Sequence, residues 1–425
     1  MGPLPVDPPE AEGVVWAVAG PAAVAAPGAE GLMQSWHETP RRSPTASAAA
    51  SLVGALPGWD ALPAPRTARV IGAIPGEGVG PEVVGAALDV LDALAEGSSA
   101  PFAVRRGGPI GVAAREVSGA ELPTEVASFC EGVFADGGAL LCGPGGGRFV
   151  YDLRSKFDLY CKLVPIRPVA ALRGAGPLHE RAVRSVDVVV VRENVGGAYF
   201  GEHGARRRGA KIGEAYHQFR YDAEQVGRIL RVAFELAQAR RGRLAVVVKP
   251  SGIPSISELW MEGAALLNES YGVELEILEV DNACYQIVAD AARFDVVAAP
   301  NLFGDVVADT AALLLGSRGM SLSANFGAPG RAVYQTGHGA AHDLAGSDRA
   351  NPLGQIRSLA LLLRESFGCV ELHAAIERGV EDVLAAGWRT PDVMAPGCTC
   401  VGTREVGRRV ADAARAALRE VRGAG

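Results

Sequence analysis

Short apolar runs, separated by breaks that contain glycine or proline, recur along most of the chain. Runs rich in valine and alanine at 69–74, 185–191, 244–248 and 294–299 are typical of strands that are buried on both faces. Between such runs lie stretches with apolar residues three or four positions apart, most clearly at 221–241, and these predict amphipathic helices. Buried strands that alternate with helices predict an α/β protein.

The first 67 residues do not follow this pattern. They are rich in alanine and proline and have no sustained period of 2 or 3.6 residues. The opening residues 1–7 contain no basic residue, so they do not resemble the start of a signal peptide. We therefore predict that residues 1–67 form a poorly ordered extension. The alternative is that Trp16, Trp36 and Trp59 dock part of this extension onto the folded body.

Composition narrows the class of protein. The chain has 425 residues, enough for two domains or one large domain with two lobes. The net charge of −7 and the scattered lysines and arginines give no support for nucleic-acid binding, and no apolar run is long enough to span a membrane. The seven cysteines include no CxxC pair, which favours reduced thiols and a cytoplasmic location.

Two carboxylates follow the apolar run at 294–299. After a break at Pro300, Asp305 and Asp309 stand four residues apart at the start of a predicted helix, so they share one helical face. Neighbouring carboxylates repel each other, and a hard divalent cation bound through oxygen atoms would relieve that repulsion. The alternative is a solvated acidic first turn, which helix N-termini favour.

Charged residues also stand where other predicted strands and loops end. Arg154 follows a glycine loop at 143–147 that lacks the Gly-Lys-Ser/Thr of a P-loop, and Arg192 ends a buried strand. Arg154 suits the recognition of carboxylates, although a surface position is the alternative. A charged residue at the C-terminal end of a strand, such as Arg192, often faces a site in α/β proteins. Lys249 also ends a strand, where it is either an edge residue that reaches solvent or an acid/base group.

Several motifs occur together in one order and spacing. They are PGEGVGPE at 75–82, VREN at 191–194, GGAYFGE at 196–202, VDNA at 280–283, NLFGDVVAD at 301–309, GSRGM at 316–320, HGAAHDLAG at 338–346 and ANP at 350–352. Through these motifs, from about residue 70 to residue 417, the chain resembles the β-decarboxylating dehydrogenases, the isopropylmalate and isocitrate dehydrogenase family.

The resemblance implies a particular α/β fold. Two α/β lobes share a large twisted sheet, the active-site cleft lies between them, and the fold is not a standard Rossmann fold. One lobe would comprise residues 68–159 together with 316–425, on the cofactor side. The other, at 160–315, would carry the dimer contacts and substrate residues. Family members are homodimers whose sites borrow residues from the second subunit.

The resemblance also implies the metal site and the acid/base residues. Asp305 and Asp309 would hold Mg²⁺ or Mn²⁺, and Asp281 would reach the same ion from the second subunit. Lys249, also from the second subunit, would take the proton of the substrate hydroxyl. Tyr199 would later act as the acid that protonates carbon.

Substrate and cofactor contacts follow from the same resemblance. Arg154 and Arg192 would bind substrate carboxylates. The loop at 338–346, which includes His338 and Gly339, would hold the cofactor, with Asn351 near the adenine. Asp343 falls where NAD-using members have an aspartate at the adenosine ribose. Because a carboxylate would repel the 2′-phosphate of NADP, the prediction is NAD.

The chain departs from the family around the substrate. A second arginine of the family is Val164 here, and Lys162 or Arg167 are the candidates to replace it, although a lysine is a point charge. Arg148, in the altered stretch 147–152, is predicted to read an additional anionic group such as a carboxylate or phosphonate.

The resulting prediction is an enzyme. It would carry out NAD- and Mg²⁺-dependent oxidative decarboxylation of a 2-hydroxy-3-carboxy acid of the isopropylmalate, isocitrate or tartrate type. A non-standard analogue of these acids is included among the predicted substrates. Neutral drift on an enzyme that still uses isopropylmalate or isocitrate is one alternative. A non-catalytic or regulatory subunit is the other, and the intact acid/base and metal residues count against it.

Overall fold

The computed structural model describes residues 51–59, 68–95 and 101–423. In these ranges the strands are β1 Arg69–Ile74, β2 Phe102–Arg106, β3 Ala139–Cys142, β4 Cys161–Ile166, β5 Val188–Glu193, β6 Glu202–Arg208, β7 Lys211–Gln218, β8 Arg243–Val248, β9 Glu274–Glu279, β10 Val296–Ala299, β11 Leu322–Phe326, β12 Ala332–Thr336, β13 Trp388–Arg389 and β14 Thr399–Cys400. The helices are α1 Gly80–Ala95, α2 Gly111–Ser118, α3 Thr124–Ala135, α4 Phe149–Phe157, α5 Glu180–Val183, α6 Ala223–Ala239, α7 Pro254–Tyr271, α8 Val280–Ala289, α9 Asn301–Ala311, α10 Leu353–Glu365, α11 Val370–Ala385 and α12 Thr403–Gly423.

One sheet of ten strands organises the protein, in the order β2-β1-β3-β12-β11-β4-β5-β10-β8-β9. Its outer pairs are parallel, and the three consecutive pairs from β12 through β11 and β4 to β5 are antiparallel. The strands β5 and β10 are buried along their whole length, which explains their continuous valine and alanine runs. The prediction of an α/β protein with a large sheet that is not a standard Rossmann fold is confirmed.

The two halves of the sheet come from different parts of the chain. The strands from β2 to β11 in the sheet order derive from residues 69–142 and 322–336, whereas those from β4 to β9 derive from 161–299. Helices α1, α10, α11 and α12 pack together beside the first set, and α6 and α7 pack beside the second. This strand order is compatible with the predicted lobe boundaries, and the division into lobes itself stays a prediction.

Part of the segment predicted to be disordered belongs to the folded body. The ring of Trp59 is buried and meets Phe326 edge-on, with 5.2 Å between ring centroids. The carboxylate of Glu365 accepts the backbone N–H groups of Leu52 and Val53 at 2.8 and 3.0 Å. The structure therefore contradicts disorder for these nine residues and favours the docking alternative for Trp59, because Trp59 packs on β11 and the short turn Val53–Ala55 packs on α6.

The remaining residues of that segment, 1–50 and 60–67, lie outside the described part of the chain, and so do Trp16 and Trp36. In the ranges that the structure describes, no helix is long and apolar enough to cross a membrane.

Candidate active site

A cleft of about 240 Å³ lies across the centre of the sheet, over β11, β4 and β5. Loops that follow β3 and β12 close its sides, and α4 and α9 contribute further side chains. The cleft brings together seven of the residues singled out in the sequence: Arg154, Lys162, Arg192, Asp305, Asp309, His338 and Gly339.

Strand alternation explains why cations face this cleft. Lys162 of β4 and Arg192 of β5 are directly opposite each other in the antiparallel register, so their side chains leave the same face of the sheet. Val164, two residues after Lys162, shares that face and also lines the cleft. The position at which the resemblance implies a second arginine is thus occupied by an apolar side chain within the site itself.

Asp305 is the centre of the polar contacts in the cleft. It forms an ion pair with Arg192 and accepts a hydrogen bond of 2.7 Å from the phenol of Tyr199. Burial alone would raise the pKa of Asp305, but Arg192 and the hydrogen bond from Tyr199 lower it below its usual value. Burial and the neighbouring Asp305 raise the pKa of Tyr199, so the phenol keeps its proton at neutral pH.

Asn301 fixes the orientation of Arg192, a role that the sequence pattern alone did not indicate. Its side-chain oxygen accepts hydrogen bonds from Nε and Nη2 of Arg192 at 3.0 and 2.8 Å. Arg192 is only 1% exposed, and its remaining nitrogen, Nη1, is directed at Asp305. The signal was present in the sequence, since Asn301 stands in the motif NLFGDVVAD beside the residues chosen as metal ligands.

Arg154 and Lys162 add two further cations, 5% and 9% exposed. Among the described residues, neither has a carboxylate within the 4.0 Å of an ion pair, and Arg154 Nε has no hydrogen-bond partner. Burial, together with Arg192, lowers the pKa of Arg154 to about 9, so it remains charged at neutral pH. Burial and the nearby arginines lower the pKa of Lys162 well below its usual value. Such buried, unpaired cations are suited to binding an anion.

Asp309 lies one helical turn after Asp305 on α9. Both of its oxygens lie 2.9 Å from Nη2 of Arg318, a residue that the sequence analysis mentioned only within the motif GSRGM. The two carboxylates fit a hard divalent ion in type and spacing, because both line the cleft from one helical face. Within the described residues, no three His, Cys, Asp or Glu side chains are placed to hold a metal ion.

Asp281 and Lys249 do not reach the cleft of their own chain. The ammonium of Lys249 lies 2.6 Å from an oxygen of Asp281 and also pairs with Glu279, and the Asp281 side chain is 70% exposed. Hydrogen bonds to Asp281 and Glu279 raise the pKa of Lys249. Their predicted contribution to the site of a second subunit stays a prediction.

The glycine loop at 75–80 contacts the predicted cofactor loop. Val79 donates its backbone N–H to the carbonyl of Ala340 at 2.8 Å. Gly78 has φ +58°, and a Cβ atom there would lie 1.9 Å from the same carbonyl oxygen. Only glycine permits this approach of the two loops, so the motif PGEGVGPE positions the segment 338–346 beside the cleft.

The residues predicted to bind the cofactor differ in their surroundings. His338 lines the cleft, and burial lowers its pKa. Asp343 is exposed on the loop. Asn351 is buried and uses both ends of its amide, donating to Asp392 at 3.0 Å and accepting the N–H of Leu353 at 2.9 Å. Their roles toward a dinucleotide stay predictions.

Arg148 does not line the cleft, so its predicted role toward an additional anionic group gains no support here and stays a prediction. It immediately precedes α4, whose first backbone N–H groups are held by Glu121, and it is exposed in a separate depression beside Asp152. Tyr151 stands between the two sites: its ring centroid lies 5.1 Å from the guanidinium carbon of Arg148 and 5.5 Å from that of Arg154. Tyr151, which lines the cleft, was not selected from the sequence.

Comparison with known proteins agrees with this geometry. The sequence profile of the isocitrate/isopropylmalate dehydrogenase family matches residues 70–410. The 3-isopropylmalate dehydrogenase of Synechococcus sp. (strain CC9605) is 38% identical over 354 residues, which cover 79% of this chain and 97% of the relative. The enzyme of the same name from Aquifex aeolicus (strain VF5) is 36% identical over 351 residues, covering 79% of this chain and 94% of the relative.

Solved structures give the same result. The crystal structure of isocitrate dehydrogenase from Methylococcus capsulatus superposes with a TM-score of 0.72 at 30% identity, over 82% of this chain and 99% of that one. The TT0538 protein from Thermus thermophilus has a TM-score of 0.70 at 27% identity, over 81% of this chain and 68% of that one. The chain therefore belongs to the isocitrate/isopropylmalate dehydrogenase family of oxidoreductases.

Proposed function

We propose that the protein catalyses the NAD- and Mg²⁺-dependent oxidative decarboxylation of a 2-hydroxy-3-carboxy acid. The observation that carries this proposal is the arrangement in the cleft, where Tyr199 donates to Asp305 beside the buried cations Arg154 and Lys162. A protonated phenol beside a carboxylate and an anion-binding wall is what the decarboxylation of a bound dicarboxylate requires.

The cations of the cleft have the first task. Arg154, Lys162 and the Nη1 group of Arg192 bind the carboxylates and orient the substrate across the sheet face. Arg192 is prearranged for this by Asn301, so little side-chain entropy is lost when an anion binds.

Asp305 and Asp309, together with Asp281 of a second copy, would hold Mg²⁺ or Mn²⁺. When bound, such an ion polarises the carbonyl of the 2-oxo acid and stabilises the charge that develops as CO₂ leaves. In the single chain, Arg192 and Arg318 are the cations that offset the repulsion between the two carboxylates.

Two residues move the protons. Lys249 of the second copy would take the proton of the 2-hydroxyl, and the bound NAD⁺ would supply the hydride acceptor. This role requires that Lys249 give up its hydrogen bonds to Asp281 and Glu279, which raise its pKa in the single chain. After CO₂ has left, Tyr199 gives a proton to the carbon that carried the carboxylate. The raised pKa of Tyr199 supports this role, because the phenol is a proton donor over the whole neutral range.

The proposal therefore includes a homodimer with shared sites. The hairpin β6–β7 supports it: it is a separate two-stranded sheet, and Ile212 and Tyr216 are each 56% exposed. A hairpin that buries neither face is marginal by itself and is stabilised when another surface covers it. The half that supplies this hairpin, residues 160–315, also carries Lys249 and Asp281.

Substrate identity depends on Val164. An apolar side chain at this place removes one anchor for a carboxylate and adds an apolar wall beside Lys162. We propose that the substrate is a 2-hydroxy-3-carboxy acid that is a non-standard analogue of isopropylmalate, isocitrate or tartrate. Isopropylmalate is the second candidate, because the relatives at 36–38% identity are 3-isopropylmalate dehydrogenases.

The cofactor and the compartment rest on two further observations. Asp343 is exposed on the loop beside the cleft, where its charge disfavours the 2′-phosphate of NADP. All seven cysteines are free thiols, which supports a reducing compartment, the cytoplasm.

The test is a turnover assay with the full-length protein. Isopropylmalate, isocitrate, homoisocitrate, malate, tartrate and a phosphonate analogue are each offered with NAD⁺ and Mg²⁺ while NADH is followed. Turnover of one acid that EDTA abolishes, and that NADP⁺ does not support, is the expected result. A folded dimer that binds NAD⁺ and turns over none of these acids would favour the alternative of a non-catalytic subunit.

A further inference from the structure

A second cavity, of about 600 Å³, lies on the opposite face of the central strands. Leu322 of β11 and Val189 of β5 line it, whereas Ser323, the next residue of β11, and Arg192, three residues after Val189 on β5, line the catalytic cleft. Since side chains alternate along a strand, the cavity and the cleft are separated by the thickness of one sheet. We call this cavity the back groove.

Both halves of the sheet contribute to the back groove. The segment 165–173 after β4 and the end of α6 form one side, and α10 and α11 form the other. Its floor and walls include the apolar side chains Leu236, Leu322 and Leu361, so a ligand could bury an apolar body there.

Arginine dominates the charges of the back groove. Its lining contains five arginines and three carboxylates: Arg167, Arg173, Arg240, Arg357, Arg364, Asp187, Glu377 and Glu381. Arg240 is paired with Asp187 at 3.0 Å and with Asp295 at 2.7 Å, and Arg357 is paired with Glu377 at 3.0 Å. Arg364 is paired with Glu365. The third carboxylate, Glu381, accepts the backbone N–H groups of residues 170 and 171 at 3.2 and 3.0 Å.

These ion pairs leave some guanidinium groups of the back groove without a partner. Among the described residues, neither Arg167 nor Arg173 has a carboxylate within ion-pair distance, and both are exposed at the rim. Arg357 is 5% exposed, and its Nη1 has no hydrogen-bond partner. A buried guanidinium nitrogen without a partner is costly unless an acceptor is supplied.

His373 adds no charge to the back groove. Its Nδ1 lies 3.1 Å from the carbonyl of Ala360 and its Nε2 lies 3.4 Å from Nη1 of Arg364, a geometry that suits the neutral ring with Nδ1 protonated. His373 therefore leaves the charge balance of the groove unchanged, and among the described residues Arg167 and Arg173 are its arginines without a carboxylate partner.

We propose that the back groove binds a small organic anion, a carboxylate or phosphate monoester on an apolar body. The anionic group would be held by Arg167, Arg173 and Arg357, and the apolar body would contact the leucines of the floor. This site is separate from the catalytic cleft and does not depend on the proposed reaction.

The test uses 8-anilinonaphthalene-1-sulfonate, a fluorescent anion with an apolar body, titrated into the full-length protein. The double variant Arg167→Ala/Arg173→Ala is expected to raise the Kd by at least about tenfold, because two charged contacts are lost. Arg106→Ala, an exposed arginine on β2, is the matched control and should leave the Kd unchanged. Lys162→Met, in the catalytic cleft, should also leave it unchanged.

Competition then identifies the chemistry. Phenylacetate and phenyl phosphate should displace the probe, and the neutral benzyl alcohol should not. The stronger competitor of the two anions indicates whether the groove prefers a carboxylate or a phosphate monoester. Absence of saturable probe binding would overturn the proposal. So would a Kd that the double variant does not change, a loss of binding in Lys162→Met, or equal displacement by benzyl alcohol.

Discussion

Replacing Lys162 by methionine should stabilise the protein and impair catalysis. Methionine keeps an unbranched chain of similar length but removes the ammonium group. The groups that face this ammonium are Arg154 of α4, Arg192 of β5, and Asp305 and Asp309 of α9. Because none of the carboxylates is within ion-pair distance, the charge is desolvated without a direct partner.

The magnitudes follow from that environment. Replacing a buried ion pair by apolar side chains of similar volume is neutral or stabilises a protein by about 1–4 kcal/mol, and we expect the removal of one buried cation without an ion-pair partner to stabilise by an amount in about this range. A hydrogen bond from a charged donor to a bound anion contributes about 1.5–3 kcal/mol, so its loss should lower kcat/KM by roughly ten- to a hundredfold. Stability and activity should thus change in opposite directions.

The pH dependence of stability gives an independent check. The pKa of Lys162 is lowered well below 10.5 in the folded protein, so between the folded and unfolded pKa values the unfolded state binds more protons. The stability contributed at this residue therefore rises with pH through that window. The advantage of Lys162→Met over the original protein should be largest below the folded pKa and should shrink as pH approaches 10.5.

Urea denaturation at several pH values measures the change in stability. Steady-state kinetics on the acid with the highest kcat/KM measures the change in activity. Lys156→Met is the matched control, because Lys156 is exposed and forms a surface pair with Glu131 at 3.1 Å. A Lys162→Met protein that is less stable than the original at neutral pH, or one with unchanged kcat/KM, would refute the reasoning.

Four further predictions concern the shared site, the N-terminal segment, the cofactor and Arg148. Mixing inactive Tyr199→Phe and Lys249→Met chains should restore about a quarter of the activity, because half of randomly paired dimers then contain one intact site; no recovery in an exchange assay would exclude shared sites. Trp59→Ala should lower the free energy of unfolding by about 3–5 kcal/mol, since a buried tryptophan is removed; a change under about 1 kcal/mol in denaturation would mean that the segment is not part of the body. Asp343→Lys should raise kcat/KM for NADP⁺ relative to NAD⁺ by about tenfold or more, by replacing repulsion of the 2′-phosphate with attraction; an unchanged ratio would remove Asp343 from cofactor choice. Arg148→Ala should leave kcat/KM within about twofold, as expected of an exposed group outside the cleft; a large loss would return Arg148 to the substrate site.

Local pattern was sufficient for much of the fold. The valine runs of β5 and β10 predict strands because a strand covered on both faces needs apolar side chains at every position. The four-residue spacing of Asp305 and Asp309 places them on one face of α9 because a helix has 3.6 residues per turn. These are short-range consequences of backbone geometry, and they do not depend on the partner elements.

The sequence by itself thus determined the α/β class, the buried strands, the family motifs and most of the charged residues of the cleft. Only the tertiary structure decided that Asn301 orients Arg192, that Arg318 holds Asp309, that Arg148 lines a separate depression, and that Trp59 packs on Phe326. It also placed five arginines around the back groove. The contacts of Asn301 with Arg192 and of Trp59 with Phe326 join residues far apart in the chain. They are set by the order and direction in which strands assemble into the sheet, which no local period encodes.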